Sequence, residues 1–297
     1  MTLYSFRSKN IFKTWFFISL FLVFVICLGW LFAEIYDNLA ILIVAIIIAF
    51  VQSFLSYWYS DKVILGLYKA KEVKKEDNPE LYRIVENLSI TAGLPMPKIY
   101  LINDPSPNAF ATGRNPRYSV ICLTTGLLEK LNKAELEGVI AHEMSHIGNY
   151  DILLASVIVI LAGIVSLLAR WFLRGSLFKR SDSDKNGRVR MVILLLGLIF
   201  AILAPIFTTL LRLAISRKRE FLADANGALL TRYPEGLARA LEKITSDSQP
   251  LKNTNEATAH LFITDPFKKK KVSWFAKLFM THPPVEERIK ILREMSV

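Results

Sequence analysis

Cysteine is nearly missing from this chain. Two residues in 297, Cys27 and Cys122, leave no disulfide framework and no cysteine-ligated metal site. Cys27 sits inside an apolar run, where a free cysteine acts as a small hydrophobe. Histidine is almost as scarce, with four in the whole chain, so any pattern that uses two of them stands out. There is no internal repeat and no low-complexity linker. Acidic residues are outnumbered, 26 against 37 basic, for a net charge of +11. The bases are dispersed and no nucleic-acid-binding motif surrounds them, which sets nucleic acid aside as a partner. In an apolar chain such an excess marks cytoplasmic loops and contact with anionic lipid.

What is abundant is hydrophobicity: 53% of residues, with a mean hydropathy of +0.35, too apolar for an ordinary soluble domain. Residues 14–33 and 38–60 hold 20 and 23 residues without a charge, and a spanning helix needs about 20. Trp15, Trp30, Tyr57, Trp58 and Tyr59 lie near their ends, as in an aromatic belt. Arg7, Lys9 and Lys13 precede the first run, and Lys62, Lys69, Lys71, Lys74 and Lys75 follow the second. The connection at 34–37 has no base. The N-terminus and everything after residue 60 are therefore expected on the cytoplasmic side. Residues 152–169 and 191–211 are two further uncharged runs, separated by a basic segment. That second hairpin either crosses the membrane against the positive-inside tendency or dips in without crossing. Both of its flanks stay cytoplasmic in either case.

Between the hairpins the pattern changes. Asn78 followed by Pro79 opens an amphipathic helix over 78–88. Residues 98–102, 108–113 and 118–124 read as strands of a small sheet. Asn132 with Glu135 three residues on predicts a capped helix running to about Asn149. That helix carries His142-Glu143-Met144-Ser145-His146. Histidines at i and i+4 share one helix face and can grip one metal ion, and the glutamate between them can act on a metal-bound water.

A catalytic zinc needs three protein ligands and an open position. The metzincin extension would place glycine and histidine where Asn149 and Ile152 stand, so the third ligand should be an acid. Asp151 is only five residues past His146, at the membrane entry, and Asp182 and Asp184 lie in the basic loop. The next acid is Glu220, beyond the fourth run, with Asp224 one helical turn further on. On spacing alone the pair could equally be a solvated face neutralised by Arg217, Lys218 and Arg219. Topology favours the ligand reading, because the hairpin returns Glu220 to the side that holds the histidines.

Four segments taken together resemble the HtpX-like membrane zinc endopeptidases, in order and over nearly the whole chain. They are residues 142–146, 216–224 (Ser-Arg-Lys-Arg-Glu-Phe-Leu-Ala-Asp), 281–288 (Thr-His-Pro-Pro-Val-Glu-Glu-Arg) and 108–113 (Asn-Ala-Phe-Ala-Thr-Gly). The resemblance implies a gluzincin-type catalytic domain facing the cytoplasm and a role in clearing damaged or misassembled membrane proteins. It makes His142, His146 and Glu220 the ligands of one zinc per chain and Glu143 the general base. Asp224 and Arg288 would orient the site, and His282 would donate to the oxyanion, although a helix-start histidine before Pro283-Pro284 fits that position too. It also suggests Asn108 and Phe110 on an edge strand that pairs with extended substrate, where an ordinary turn is the alternative. His260, among apolar neighbours, reads as a core or rim residue. Lys268–Lys271 and the apolar residues after them could rest on the inner leaflet or form a solvated basic loop.

The expectation is thus an α+β membrane protein, mostly helical with a small β-sheet, with two transmembrane helices and two further transmembrane or membrane-embedded ones. Its segments are an N-terminal hairpin over 1–60, a first catalytic part over 61–150, a hydrophobic hairpin over 151–212 and a second catalytic part over 213–297. The predicted activity is endoproteolysis of misfolded or damaged polypeptides at the cytoplasmic face of the inner membrane, with polypeptide substrates and the lipid bilayer as partners. Two imidazoles and a carboxylate suit zinc, though manganese and cobalt take the same donors. The rival is a non-catalytic membrane scaffold that uses its histidine pair structurally.

Overall fold

The computed structural model describes residues 3–161, 163–164, 199, 217–252, 258–267 and 283–295. His282, the basic segment at 268–271 and the expected hairpin beyond residue 164, apart from residue 199, lie outside the described residues.

Two long helices open the chain, α1 (Leu3–Tyr36) and α2 (Leu39–Leu67). Between them Asp37 takes a left-handed backbone (φ 48), and the Asn38 side chain accepts a hydrogen bond from Ala40 N to cap α2. The helices pack together where Gly29 lets α1 approach. A Cβ on Gly29 would fall 2.2 Å from the Ala45 Cβ, the small-residue contact by which helices pair in lipid. Arg7–Glu34 and Leu39–Leu67 are each long and apolar enough to cross a membrane. Phe16, Val23, Ile47 and Phe50 leave more than half their surface uncovered, an apolar girdle suited to acyl chains.

The chain then forms β1 (Lys71–Glu72), α3 (Pro79–Ala92), β2 (Lys98–Ile102), β3 (Ala109–Gly113) and β4 (Ser119–Thr124). Asn78 caps α3 through Leu81 N, as its sequence predicts. Strand order is β1-β2-β4-β3, with β2 and β4 parallel and both outer pairs antiparallel, so β3 is an edge. Every residue of β3 and β4 is buried, because both faces of the sheet are covered. Ala111, Ile121 and Leu123 face a helical core, while Phe110, Val120 and Cys122 face Ile64, Leu65 and Tyr68 at the end of α2. The sheet therefore joins the end of α2 to the helical layer.

After α4 (Thr125–Lys130) comes α5 (Lys133–Gly148), which starts on the predicted capping box: Asn132 Oδ1 accepts from Glu135 N and Glu135 Oε2 from Asn132 N. Its apolar face, Leu136, Val139, Ile140 and Met144, packs on α3 and the sheet. The chain turns 80° into α6 (Asp151–Leu161) at Tyr150, a left-handed residue (φ 59). Helices α7 (Arg217–Thr231), α8 (Pro234–Ser246) and α9 (Val285–Glu294) complete the layer around α5. Close approach needs glycine at two points. A Cβ on Gly138 would lie 2.7 Å from Leu237 N of α8, and one on Gly227 of α7 would lie 3.1 Å from His142 N.

Candidate metal centre

Helix α5 places His142 and His146 one turn apart, with ring nitrogens Nε2 only 3.2 Å from each other. The Gly227 contact draws α7 against α5, and that brings Glu220 over the pair. Its carboxylate oxygens stand 3.9 Å from His142 Nε2 and 3.5 Å from His146 Nε2. One donor atom from each of the three residues lies within 4.8 Å of the others. Tetrahedral zinc with Zn–N bonds of about 2.0–2.1 Å would separate two nitrogens by roughly 3.3 Å, so the histidines already stand at a ligand edge.

Each histidine is aimed from behind. His142 Nδ1 lies 2.9 Å from Asp224 Oδ1, which leaves Nε2 with its lone pair toward Glu220. Asp224 in turn is gripped in bidentate fashion by Arg288, Nε to Oδ2 at 2.8 Å and Nη2 to Oδ1 at 2.7 Å. Arg288 is fully buried and also donates to the Ile263 carbonyl at 3.0 Å, which ties α9 to the site. His146 has its own acid: Nδ1 lies 2.9 Å from Asp151 Oδ2. Asp151 Oδ1 accepts from Arg219 Nη1 at 2.9 Å and from Asn10 Nδ2 of α1 at 2.7 Å.

The electrostatics fit a divalent cation. At the site, among the described residues, four buried carboxylates (Glu143, Asp151, Glu220, Asp224) face two buried guanidinium groups (Arg219, Arg288). Two negative charges are left over, and protons gather in compensation. Burial pushes the Glu143 carboxyl up to about 7, against the pull of His146. Burial alone would lower His146, but the Asp151 hydrogen bond and the charges of Glu220, Asp151 and Glu143 carry it up to about 9. His142 is held below its ordinary value by burial. A dication on the three ligand atoms would replace these protons.

Glu143 lines a small cavity, partly open to solvent, together with His142, His146, Glu220, Ala111, Ile152 and Phe262. His260 lines it too and is itself buried, as its apolar neighbours in the sequence suggest. The Ala111 N–H of edge strand β3 faces the Glu143 carboxylate and favours its charged form. The carbonyl of Ala109 also faces outward from that edge and accepts from Ile263 N at 2.9 Å. Asn108 and Phe110 flank these positions, and both side chains are buried rather than lining the cavity. Asn108 donates through Nδ2 to the Thr264 carbonyl and accepts from Ala109 N, and Phe110 packs edge-on against Phe262, 5.0 Å between ring centres.

Sequence reasoning did not find Asp151, Asn10 or Arg219 as parts of this site. Asp151 follows the end of α5 and would point elsewhere on a continuing helix, and only the left-handed turn at Tyr150 folds it back. Arg219, which the solvated-face alternative would pair with Glu220 and Asp224, faces Asp151.

The profile of peptidase family M48 matches residues 75–296. A protease HtpX homolog of Dictyoglomus turgidum is 46% identical over 296 residues, covering 99% of this chain and 95% of that protein. One from Thermococcus sibiricus is 47% identical over 259 residues, 85% of this chain and 86% of that protein. The crystal structure of S. mikatae Ste24p superposes with a TM-score of 0.54 at 21% identity, over 97% of this chain and 66% of that one, a likeness of fold.

Proposed function

The chain belongs to the HtpX-like members of peptidase family M48 and is a membrane metalloprotease, and from that premise we propose a zinc endopeptidase that cleaves misfolded or damaged membrane proteins at the cytoplasmic face. The observation that carries this reading is the convergence of His142 Nε2, His146 Nε2 and the Glu220 carboxylate beside Glu143, at the floor of a cavity edged by β3.

Bound zinc would supply an acidified water and an electrophile for the scissile carbonyl. Glu143 takes the proton of the attacking water and passes it to the leaving amine. The outward backbone of β3 around Ala111 offers an edge on which an extended substrate adds as a strand. Asn108 and Phe110 serve that edge by fixing its ends in the core. His282 donates to the oxyanion, while Arg288 and Asp224 keep His142 in the tautomer that ligates. The cytoplasmic orientation rests on the lysines and arginines that flank the first two spans on one side only. The quality-control role rests on the likeness to the HtpX homologs.

The test is Glu143→Gln in the detergent-solubilised full chain. Zinc content should stay at one per chain while kcat on an unfolded substrate such as casein falls by about 10²–10⁴. Undiminished cleavage by that variant rules the mechanism out.

A further inference from the structure

A polar side chain in a membrane helix is costly unless it does something, and Asn10 stands at the N-terminal end of an apolar stretch, 3% exposed. Its amide has a complete set of partners. Nδ2 donates to Asp151 Oδ1 at 2.7 Å and to the Asn149 carbonyl at 2.9 Å, and Oδ1 accepts from Arg219 Nη1 at 2.9 Å. A guanidinium can only donate and a carbonyl or carboxylate can only accept, so one orientation of the amide satisfies all three. Two of the partners sit at the α5–α6 corner, where the chain turns through left-handed Tyr150. Three residues before Asn10, on the same face of α1, the Arg7 guanidinium covers the Tyr150 ring at 4.5 Å. A strained non-glycine turn holds only if its surroundings hold it, and α1 supplies that hold.

The corner matters because of what leaves it. Asp151 is the first residue of α6, one oxygen on His146 Nδ1 and the other on Asn10 and Arg219. We propose that Asn10 of the membrane helix α1 is a positioning residue of the metal centre. It acts through Asp151 to aim His146, so that one ring of the histidine pair takes its direction from an amide on α1. The membrane anchor is thereby part of the metal site as well as its tether. This rests on the metal-site reading above.

The experiment uses the full chain in detergent and reads metal binding apart from activity: zinc affinity by chelator competition, and the visible bands of the cobalt-substituted protein, which report ligand geometry. Partners behind a ligating histidine typically contribute 10–100-fold in metal affinity. Asn10→Ala should weaken zinc by about tenfold, and Asp151→Asn by up to about a hundredfold, each with altered cobalt bands. Ile18→Ala removes apolar packing between α1 and α6 without touching Asp151, and it should lower thermal stability yet keep zinc affinity and the cobalt spectrum. Zinc affinity within twofold of the parent in Asn10→Ala overturns the proposal. So does an equal loss in Ile18→Ala, which would assign the effect to docking alone. A parent chain that takes up neither metal overturns the metal-site reading, and this proposal with it.

Discussion

Asp224→Asn measures what the buried ion pair behind His142 contributes. Asp224 is 1% exposed and makes three short contacts, one to His142 Nδ1 and two to Arg288. Burial alone would raise its pKa, but the charge and hydrogen bonds of Arg288, followed by those of His142, hold it at about 2. Against an ordinary value of 3.8, that is a preference of about 2 kcal/mol for the ionised form. Asparagine keeps the volume but brings an amide nitrogen. In its better orientation that nitrogen replaces Oδ2 and faces Arg288 Nε, donor against donor. In the other it faces both Arg288 Nη2 and His142 Nδ1. Loss of a partner behind a ligating histidine costs about 10–100-fold in metal affinity, or about 1.4–2.8 kcal/mol, the same size as the ionisation preference. Zinc Kd, measured by chelator competition on the solubilised full chain, should therefore rise by that factor with helical circular dichroism unchanged. The folded pKa lies below the unfolded one, so in metal-free protein the contribution is whole above about pH 4 and is lost as pH falls through 2. The variant's stability should accordingly decline less steeply on the acid side. A zinc Kd within threefold of the parent's refutes this account of the pair.

Two further substitutions separate the remaining roles. Glu220→Ala removes one of the three proposed ligand groups and should strip zinc from the protein during dialysis that leaves the parent loaded; equal retention in both would move the third ligand elsewhere. His282→Ala should leave zinc content intact and lower kcat by about 10²–10³ with little change in KM, the mark of a donor that acts on the oxyanion. A change confined to KM would make it a substrate-contact residue instead.

Sequence by itself determined the elements whose signals are local. The cap and proline at Asn78-Pro79 and the capping box at Asn132–Glu135 set where α3 and α5 begin, since the capped N–H groups find their partners within three residues. The i, i+4 spacing put His142 and His146 on one face, and uncharged runs of 20 and 23 residues marked two helices able to cross a membrane. Glu220 was reachable because acids are few and the hydrophobic runs restrict which of them can return to the histidines.

Tertiary structure decided the rest, because it depends on contacts between residues far apart in the chain. Nothing near Arg288 in sequence says that it is buried whole against Asp224, 64 residues away. Nor does any local pattern tie Asn10 to Asp151 across 141 residues. The turn at Tyr150 carries no glycine to announce it. In the fold α1 packs over the corner, with Arg7 on the Tyr150 ring and Asn10 on the Asn149 carbonyl. The motif at His142–His146 named a chemistry, and only the approach of α7 at Gly227 and the bend before Asp151 bring Glu220 and Asp151 to its two rings.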